Sequence, residues 1–273
     1  MAKVGWKQKT IDIGGAELGY LRAGKGKPVL IFHEELGNPG WFHWQRELAE
    51  KYQLILPLHP GFGVSPRRDW IRTVGDLANF YAQVLVKQGW EGADVIGFSF
   101  GGWIAAEMAA QNPGQFGSLT LVAPLGIKPR QGAIRDLFAA PTEDYLAASV
   151  RDPEDTPEFG QLFGGALTPE QFELFQDATA EAGRLAWQPY MNNPALRNRL
   201  GLVRNLPTLI IWGEEDAIVP VSAAADYQQA IRGASLALFK NCGPRPELEQ
   251  TKEFLKKIKR HQRHLAQTRG PPS

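Results

Sequence analysis

The chain has 273 residues and a formal net charge of +1, with 30 Lys and Arg against 29 Asp and Glu. This balance excludes an electrostatic case for binding a nucleic acid or an anionic membrane surface, and no apolar run is long enough to cross a bilayer. The single cysteine, Cys242, excludes an internal disulfide framework and is typical of a reducing compartment, so we expect a cytoplasmic protein.

Strands and helices are predicted to alternate along most of the chain. Lys27–His33 has the continuous apolar character of a central parallel strand, and Val74–Gln88 carries apolar residues at helical spacing. In chain order, the predicted elements are a hairpin (9–13 and 17–22), a strand (27–33), a helix (about 41–51), a strand (53–58), a helix (74–88), a strand (94–98), a helix (102–110) and three strands (117–122, 208–212 and 236–239). This alternation predicts an α/β fold with a mostly parallel sheet and right-handed crossovers.

A Gly-x-Ser-x-Gly motif stands between one of these strands and the helix that follows. It reads Gly97-Phe98-Ser99-Phe100-Gly101. In the nucleophile elbow, a sharp strand-to-helix turn leaves the serine hydroxyl exposed at the carboxyl end of the strand. The two glycines are needed because any side chain there would collide with the neighbouring strand or helix. The motif alone arises by chance, but its strand–turn–helix context predicts Ser99 as a nucleophile.

The motifs follow one another in an order that resembles the α/β-hydrolase fold superfamily, and the resemblance covers nearly the whole chain. The matching landmarks are His33 and Gly37, the run Pro60–Ser65, the elbow at Ser99, the acid loop at Asp216, and the frame Gly243, Pro246 and Glu249. The resemblance implies a mostly parallel central sheet with helices on both faces and a helical cap insertion. It places the chain with the capped serine esterases.

The resemblance also implies a catalytic triad in the chain order Ser, acid, His. The loop Glu214–Pro220 leaves a buried strand and matches the acid loop of the superfamily, which makes Asp216 the triad acid. The base loop of the superfamily reads Gly-His-x-Pro-x-x-Glu. Here it reads Gly-Pro-Arg-Pro-Glu-Leu-Glu over residues 243–249, so Pro244 stands where the base His is expected. Proline has no titratable side chain and cannot relay a proton.

The remaining histidines offer one alternative base. His59 lies near the carboxyl edge of the predicted sheet and is the alternative general base, in place of the His expected at position 244. We expect His33 to be structural, as it is in the superfamily, and His43 to be exposed on a helix. His261 and His264 follow a basic terminal helix.

An oxyanion hole is implied by the same resemblance. Its donors would be the backbone N–H groups of Glu35 and Phe100. Glu34 stands where the superfamily has Gly. Two carboxylates beside a developing oxyanion are unfavourable, so these side chains are expected either to face water or to pair with a cation such as Arg67 or Arg68.

The alternation of strands and helices stops between residues 126 and 206, where the resemblance implies a cap over the active site. We divide the chain into an α/β core (1–125 and 207–265), a helical cap (126–206) and a disordered tail (266–273). Candidate cap helices are 136–138, 143–146 and 170–187. Apolar pocket candidates are Leu137, Phe138, Leu162, Phe163, Phe175, Trp187, Tyr190 and Met191, and Phe138, Trp187 and Met191 are the predicted substrate contacts.

The sequence therefore indicates a serine hydrolase of small apolar carboxylic esters or related acyl compounds, impaired because its general base is missing. One alternative is a non-catalytic, ligand-binding or receptor-like protein with the same fold. Another is a carbon–carbon bond hydrolase or a perhydrolase. We expect no cofactor and no metal site, and the expected partner is a small apolar molecule.

Overall fold

A single sheet carries the fold in the computed structural model, which describes residues 5–38, 40–139, 141–162 and 168–269. Within these ranges the strands are β1 (Lys7–Asp12), β2 (Glu17–Ala23), β3 (Pro28–Phe32), β4 (Gln53–Pro57), β5 (Asp94–Phe98), β6 (Ser118–Val122), β7 (Thr208–Gly213) and β8 (Ser235–Phe239). The spatial order is β1-β2-β4-β3-β5-β6-β7-β8. The β1–β2 and β2–β4 pairs are antiparallel and the other pairs are parallel, which confirms the predicted fold class.

Helices connect and cover these strands. They are α1 (His43–Ala49), α2 (Val74–Gln88), α3 (Ser99–Gln111), α4 (Thr142–Ala148), α5 (Phe159–Leu162), α6 (Pro169–Ala186), α7 (Leu196–Leu200), α8 (Ser222–Ala230), α9 (Pro246–Glu249) and α10 (Thr251–Arg269). In the described part of the chain, no helix is both long and apolar enough to span a bilayer.

The two faces of the sheet are covered by different helices. The crossover from β3 through α1 moves along the sheet to β4, whereas the crossover from β4 through α2 moves back past β3 to β5. Right-handed crossovers in opposite directions place α1 and α2 on opposite faces. Contacts agree, since α1 packs against α10, while α2 packs against α3.

The central strands are buried on both faces. Every residue of β6 and β7 is buried, whereas β1 lies exposed at the edge of the sheet. Continuous burial of this kind is expected for parallel strands that are covered on both faces. Because the carboxyl ends of β3, β5, β6 and β7 meet at one edge, the loops that leave them can form one site.

Two predicted elements differ from the structure. Residues 136–138 are not helical, because their backbone amides are used elsewhere: Leu137 N–H donates to the Tyr190 hydroxyl (2.6 Å) and Phe138 N–H donates to the Asp136 carboxylate (2.8 Å). The backbone of residues 266–269 continues α10 instead of starting a tail, since no helix breaker precedes Gly270 and Pro271. Residues 270–273 lie outside the described part of the chain.

The segment between β6 and β7 contains the helices α4 to α7, in agreement with its predicted helical character. The candidate helices 143–146 and 170–187 correspond to α4 and α6. Helix α4 reaches the carboxyl edge of the sheet, where the residues discussed below meet.

Candidate active site

Ser99 occupies a strained turn between β5 and α3. Its φ is +45°, in the left-handed region that residues with a side chain rarely adopt. A Cβ added at Gly97 would stand 2.6 Å from the carbonyl oxygen of Gly101, and one at Gly101 would meet the carbonyl oxygens of Phe32 and His33. The turn therefore requires both glycines, and it has the geometry of the predicted elbow.

Asp216 follows β7, two strands away from the strand that precedes Ser99. Its Oδ1 accepts the N–H groups of Ile218 and Val219, each at 2.8 Å, which fixes the carboxyl group. Its Oδ2 is buried without a hydrogen-bond partner in the described part of the chain. Burial, and to a lesser extent the charge of Glu35, raises the pKa of Asp216 to about 7.

Ser99, Asp216 and Pro244 line one small cavity. Its volume is about 20 Å³, which is room for about one water molecule. The Ser99 Oγ is buried and, like the Asp216 Oδ2, has no partner among the described residues. The two oxygens that an imidazole bridges in a complete triad are thus present and unpaired, with the Pro244 ring beside them.

The loop that carries Pro244 is held in place by Glu249. One oxygen of its carboxylate accepts the N–H of Gly243 (2.8 Å), and the other accepts the N–H of Arg245 (3.1 Å). Both amides that flank the proline are therefore fixed by one side chain. The position of residue 244 depends on this clamp, and the proline ring itself contributes no hydrogen bond to it.

His59, the alternative base, is a core residue that does not line the cavity. Its Nε2 donates to the His33 carbonyl (3.2 Å) and its Nδ1 accepts from the Tyr81 hydroxyl (2.5 Å), so both ring nitrogens are engaged. Burial lowers its pKa well below the usual value. His33 is structural, as expected: its Nε2 accepts the N–H of His59 (3.0 Å), and its Nδ1 donates to the Glu34 carbonyl (2.8 Å).

The other histidines lie elsewhere. His43 is exposed on α1, as expected, and His261 lies on α10. The side chain of His264 lies outside the described residues. No histidine side chain that the structure describes lines the Ser99 cavity.

Glu34 pairs with a cation, which was one of the two expected arrangements, but the cation is neither Arg67 nor Arg68, and Glu35 neither faces water nor pairs with a cation. Glu34 forms an ion pair with Arg245 and is largely buried. Glu35 is only 3% exposed, and its Oε1 accepts a hydrogen bond from the Tyr145 hydroxyl (2.7 Å).

The two arginines that were expected to neutralise these carboxylates lie elsewhere. Arg67 lies beside Glu181 (Nε to Oε2, 3.9 Å), and Arg68 packs its guanidinium on Phe80. The cation that does approach the site is Arg245, because it follows Pro244 in the base loop.

The polar groups around the cavity form one buried charge cluster. The Arg245 guanidinium is fully enclosed, and its Nε donates to the Ser149 hydroxyl (3.0 Å). Burial raises the pKa of Glu34 to about 7 and that of Glu247 to about 8, while Arg245 lowers both. The oxygen Oε2 of Glu35 and that of Glu247 are buried without a hydrogen-bond partner among the described residues.

The predicted oxyanion donors follow two adjacent strands, β3 and β5. Phe32 of β3 pairs with Gly97 of β5, and Glu35 and Phe100 each follow three residues later. The Phe100 N–H belongs to the first turn of α3, where amides have no intrahelical acceptor and the helix dipole favours negative charge. Metal-ligand clusters of His, Cys, Asp and Glu are absent from the described part of the chain.

The three predicted substrate contacts do not line the Ser99 cavity. Phe138 lines a separate cavity of about 530 Å³, and Trp187 packs edge-on against it (5.2 Å between ring centroids) while staying half-exposed. Met191 is buried in the core. The reason is that α4, rather than the end of α6, covers Ser99.

The other pocket candidates are placed in different ways. Phe175 lines an apolar groove of about 520 Å³ that also contacts Leu36. Leu137 lines the same cavity as Phe138, and Tyr190 packs against Trp187. The side chain of Leu162 and the whole of Phe163 lie outside the described residues.

Among the residues that line the cavity, four polar ones had no predicted role in the site. They are Tyr145, Ser149, Arg245 and Glu247. Two had a signal, because charged residues follow Pro244 inside the motif itself. Tyr145 of α4 and Ser149, which directly follows this helix, had none, since only the folded chain brings this segment to the Ser99 cavity. The lining combines these polar side chains with apolar ones at the ends of strands and in the acid loop, namely Phe98, Val122, Ala123, Ile218 and Val219. An apolar contribution is therefore present, but none of the predicted pocket residues that the structure describes supplies it.

Comparison with known proteins gives a consistent result. A model of the alpha/beta hydrolase family matches residues 29–257. The chain is 28% identical over 270 residues to the dihydrolipoyllysine-residue acetyltransferase component of the acetoin cleaving system of Cupriavidus necator, covering 92% of this chain and 67% of that protein. It is 26% identical over 268 residues to 2-hydroxy-6-oxo-6-phenylhexa-2,4-dienoate hydrolase of Comamonas testosteroni, covering 89% and 90%.

A solved structure has the same fold. The hydrolase of that same name from Rhodococcus sp. strain RHA1 superposes with a TM-score of 0.75 at 21% identity, covering 95% of this chain and 99% of that chain.

Proposed function

The chain belongs to the alpha/beta hydrolase family, and on that premise we propose that it is a serine hydrolase of small carboxylic esters or related acyl compounds. The observation that carries the proposal is the strained turn at Ser99, whose hydroxyl is buried and unpaired in the cavity that Asp216 also lines. Such a backbone conformation costs on the order of 1–3 kcal/mol, and strain of this kind clusters at active sites.

Each residue has a role in the proposed reaction. Ser99 attacks the carbonyl carbon, and the N–H groups of Phe100 and Glu35 stabilise the negative charge that develops on the carbonyl oxygen. In a complete triad, Asp216 orients the base and stabilises its positive charge. Pro244 cannot fill the base position, and loss of the base typically costs on the order of a millionfold in turnover. The proposed activity is therefore lower than that of a complete triad.

The cavity restricts how a substrate binds. An ester is larger than about 20 Å³, so its acyl group can enter only if side chains such as Tyr145 of α4 move. The apolar groove that Leu36 and Phe175 line lies next to the loop of Glu35 and gives room for an apolar substituent. The substrate class thus combines a polar reacting group with an apolar remainder.

Two other functions are supported by specific observations. Pro244 favours a non-catalytic protein that binds a small ligand in the same cavity. The relative named as a 2-hydroxy-6-oxo-6-phenylhexa-2,4-dienoate hydrolase favours an oxo-dienoate substrate, and with it the carbon–carbon bond hydrolase considered above.

Labelling with a fluorophosphonate tests the proposal, because the reagent reacts with activated serines. The full chain and Ser99→Ala are incubated with it, and the modified residue is identified by mass spectrometry. We expect slow labelling at Ser99 and none in the variant. A folded chain that stays unlabelled but binds apolar ligands tightly supports the non-catalytic function instead.

A further inference from the structure

The side chain of Glu35 lies in the same cavity as the side chain of Ser99. It lines the Ser99 cavity and is 3% exposed. Its Oε1 is held by the Tyr145 hydroxyl (2.7 Å), while its Oε2 has no hydrogen-bond partner among the described residues. The Ser99 Oγ is unpaired in the same cavity. The Ser99 hydroxyl, a donor without an acceptor, and the Glu35 Oε2, an acceptor without a donor, therefore line one cavity that has room for about one water molecule.

We propose that the carboxylate of Glu35 is the general base for Ser99, in place of the imidazole that Pro244 removes. The inference rests on the proposed function. It gives Glu35 two separate contributions, since its backbone N–H belongs to the oxyanion hole and its side chain takes the proton. Proton transfer occurs either directly or through the one water that the cavity can hold.

The other carboxyl groups around the cavity are less suited to this role. Glu34 already forms an ion pair with Arg245. Among the charged groups, Arg245 and Glu34 have the largest effects on the pKa of Glu247. Asp216 has a raised pKa of about 7, so near neutral pH much of it is protonated and cannot accept a proton. The Tyr145 hydroxyl binds Oε1 of Glu35, and Oε2 is the oxygen that has no hydrogen-bond partner among the described residues.

The proposed steps balance in atoms and charge. As the Ser99 Oγ bonds to the carbonyl carbon, its proton moves to Glu35, and the carbonyl electron pair moves to the oxygen held by the N–H groups. Collapse of this intermediate expels the alcohol, which takes the proton from Glu35. A water then gives a proton to Glu35 and attacks the acyl carbon, and Ser99 leaves with that proton. The products are the carboxylic acid and the alcohol.

Glu35→Gln is the decisive variant, because it keeps the shape of the side chain and removes its basicity. The rate of fluorophosphonate labelling and the kcat for p-nitrophenyl acetate are measured for the full chain. We expect both to fall by about 100-fold or more, with KM changed by less than about threefold. The matched control is Glu181→Gln, another buried carboxyl, which pairs with Arg184 on α6 and does not line the cavity. It is expected to leave both rates unchanged.

The outcomes separate this inference from the proposed function. If the unmodified chain is not labelled at Ser99, the proposed function is wrong and the inference falls with it. If the chain is labelled and Glu35→Gln is labelled equally fast, only the inference is wrong. Glu247→Gln is measured in the same way. If the labelling rate and the kcat fall in Glu247→Gln but not in Glu35→Gln, the inference is wrong and the base is Glu247. Should Glu35→Gln not fold, Glu35→Asp retracts the carboxylate by one methylene, and an unchanged rate in that variant overturns the inference as well.

Discussion

At the scale of single residues, the site is defined by the atoms that Pro244 leaves unpaired. The Ser99 Oγ and the Asp216 Oδ2 are both buried without partners among the described residues, and Pro244 lines the cavity between the loops that carry them. Buried polar atoms without partners are rare in folded proteins and call for a ligand, a water or a functional explanation. In a complete triad, these are the two atoms that the imidazole contacts.

Pro244→His is expected to complete the triad. The imidazole can accept the Ser99 proton and donate to the Asp216 Oδ2, and Glu249 keeps the loop in place because its contacts are to the flanking amides. We expect the kcat for short aryl esters to rise by about three orders of magnitude or more. Steady-state hydrolysis of p-nitrophenyl acetate measures the change.

The control is Pro244→His combined with Ser99→Ala, which should show no gain, since nucleophile and base act as one unit. A Pro244→His protein that has the native circular dichroism spectrum and gains no activity would contradict the serine hydrolase assignment. In that case the ligand-binding function is the better account of the cavity.

At the scale of elements, α3 links the site to α7 and to the residues that precede α7. It carries Ser99 at its first position and a fully buried Glu107 in its interior. The Glu107 carboxylate accepts hydrogen bonds from Trp103 of the same helix (3.2 Å), from Asn193 (2.7 Å) and from Arg199 of α7 (2.6 Å). A buried carboxylate with three donors holds α7 against α3 in one arrangement.

Arg199→Met should destabilise the fold, because it leaves Glu107 with its charge and without its cation. We expect the free energy of unfolding to fall by about 1–2 kcal/mol, less than for a fully buried pair, since the Arg199 side chain is 35% exposed and Trp103 and Asn193 still donate to Glu107. Urea denaturation measures the change.

Adding Glu107→Gln to Arg199→Met should recover part of the loss, because it removes the unpaired charge. Lys256→Met, which removes a partner of Glu253 on the surface of α10, is the matched control and should leave the midpoint unchanged. A midpoint for Arg199→Met equal to that of the control would show that the pair contributes nothing to holding α7.

The sequence predicts the sheet better than the site, for a physical reason. Strands such as β3 and β7 are short, continuous apolar runs between turn residues, so a local pattern predicts them. The helix expected at residues 136–138 fails because the Tyr190 hydroxyl and the Asp136 carboxylate take its amides, and only the first of these contacts is distant in sequence.

In the site, the motif residues Ser99 and Asp216 could be predicted because each sits in a loop with a characteristic sequence. The ion pair between Glu34 and Arg245 could not be predicted, because 211 residues separate the two in the sequence. In addition, Glu34 stands where the superfamily has Gly, and the base-loop motif allows any residue at the position of Arg245. Tyr145 likewise reaches Glu35 only through the folding of α4 across the sheet edge.

At the scale of the whole molecule, the buried charge cluster sets how stability depends on pH. Burial raises the pKa of Glu34 and Asp216 to about 7 and that of Glu247 to about 8. In the unfolded chain such groups titrate near pH 4. Between these values the folded state holds more protons than the unfolded state, so the free energy of unfolding falls as the pH rises. Below pH 6.5 the buried His33 and His59, whose pKa values are lowered, act in the opposite direction.

We therefore expect stability to decline between pH 6.5 and pH 8, where the carboxyl groups act without opposition from these histidines. Each proton that the folded state alone retains contributes a slope of up to about 1.4 kcal/mol per pH unit. Urea unfolding at half-unit intervals across this window measures the slope. Glu247→Gln, which keeps the side-chain shape but cannot titrate, should reduce the slope throughout this window, and above pH 7, where Glu34 and Asp216 have largely ionised, it should remove most of the slope that remains. A stability that is constant or rising over this window would mean that the three carboxyl groups are ionised in the folded protein well below neutral pH. Asp216 would then be charged at neutral pH and could compete with Glu35 as the base for Ser99.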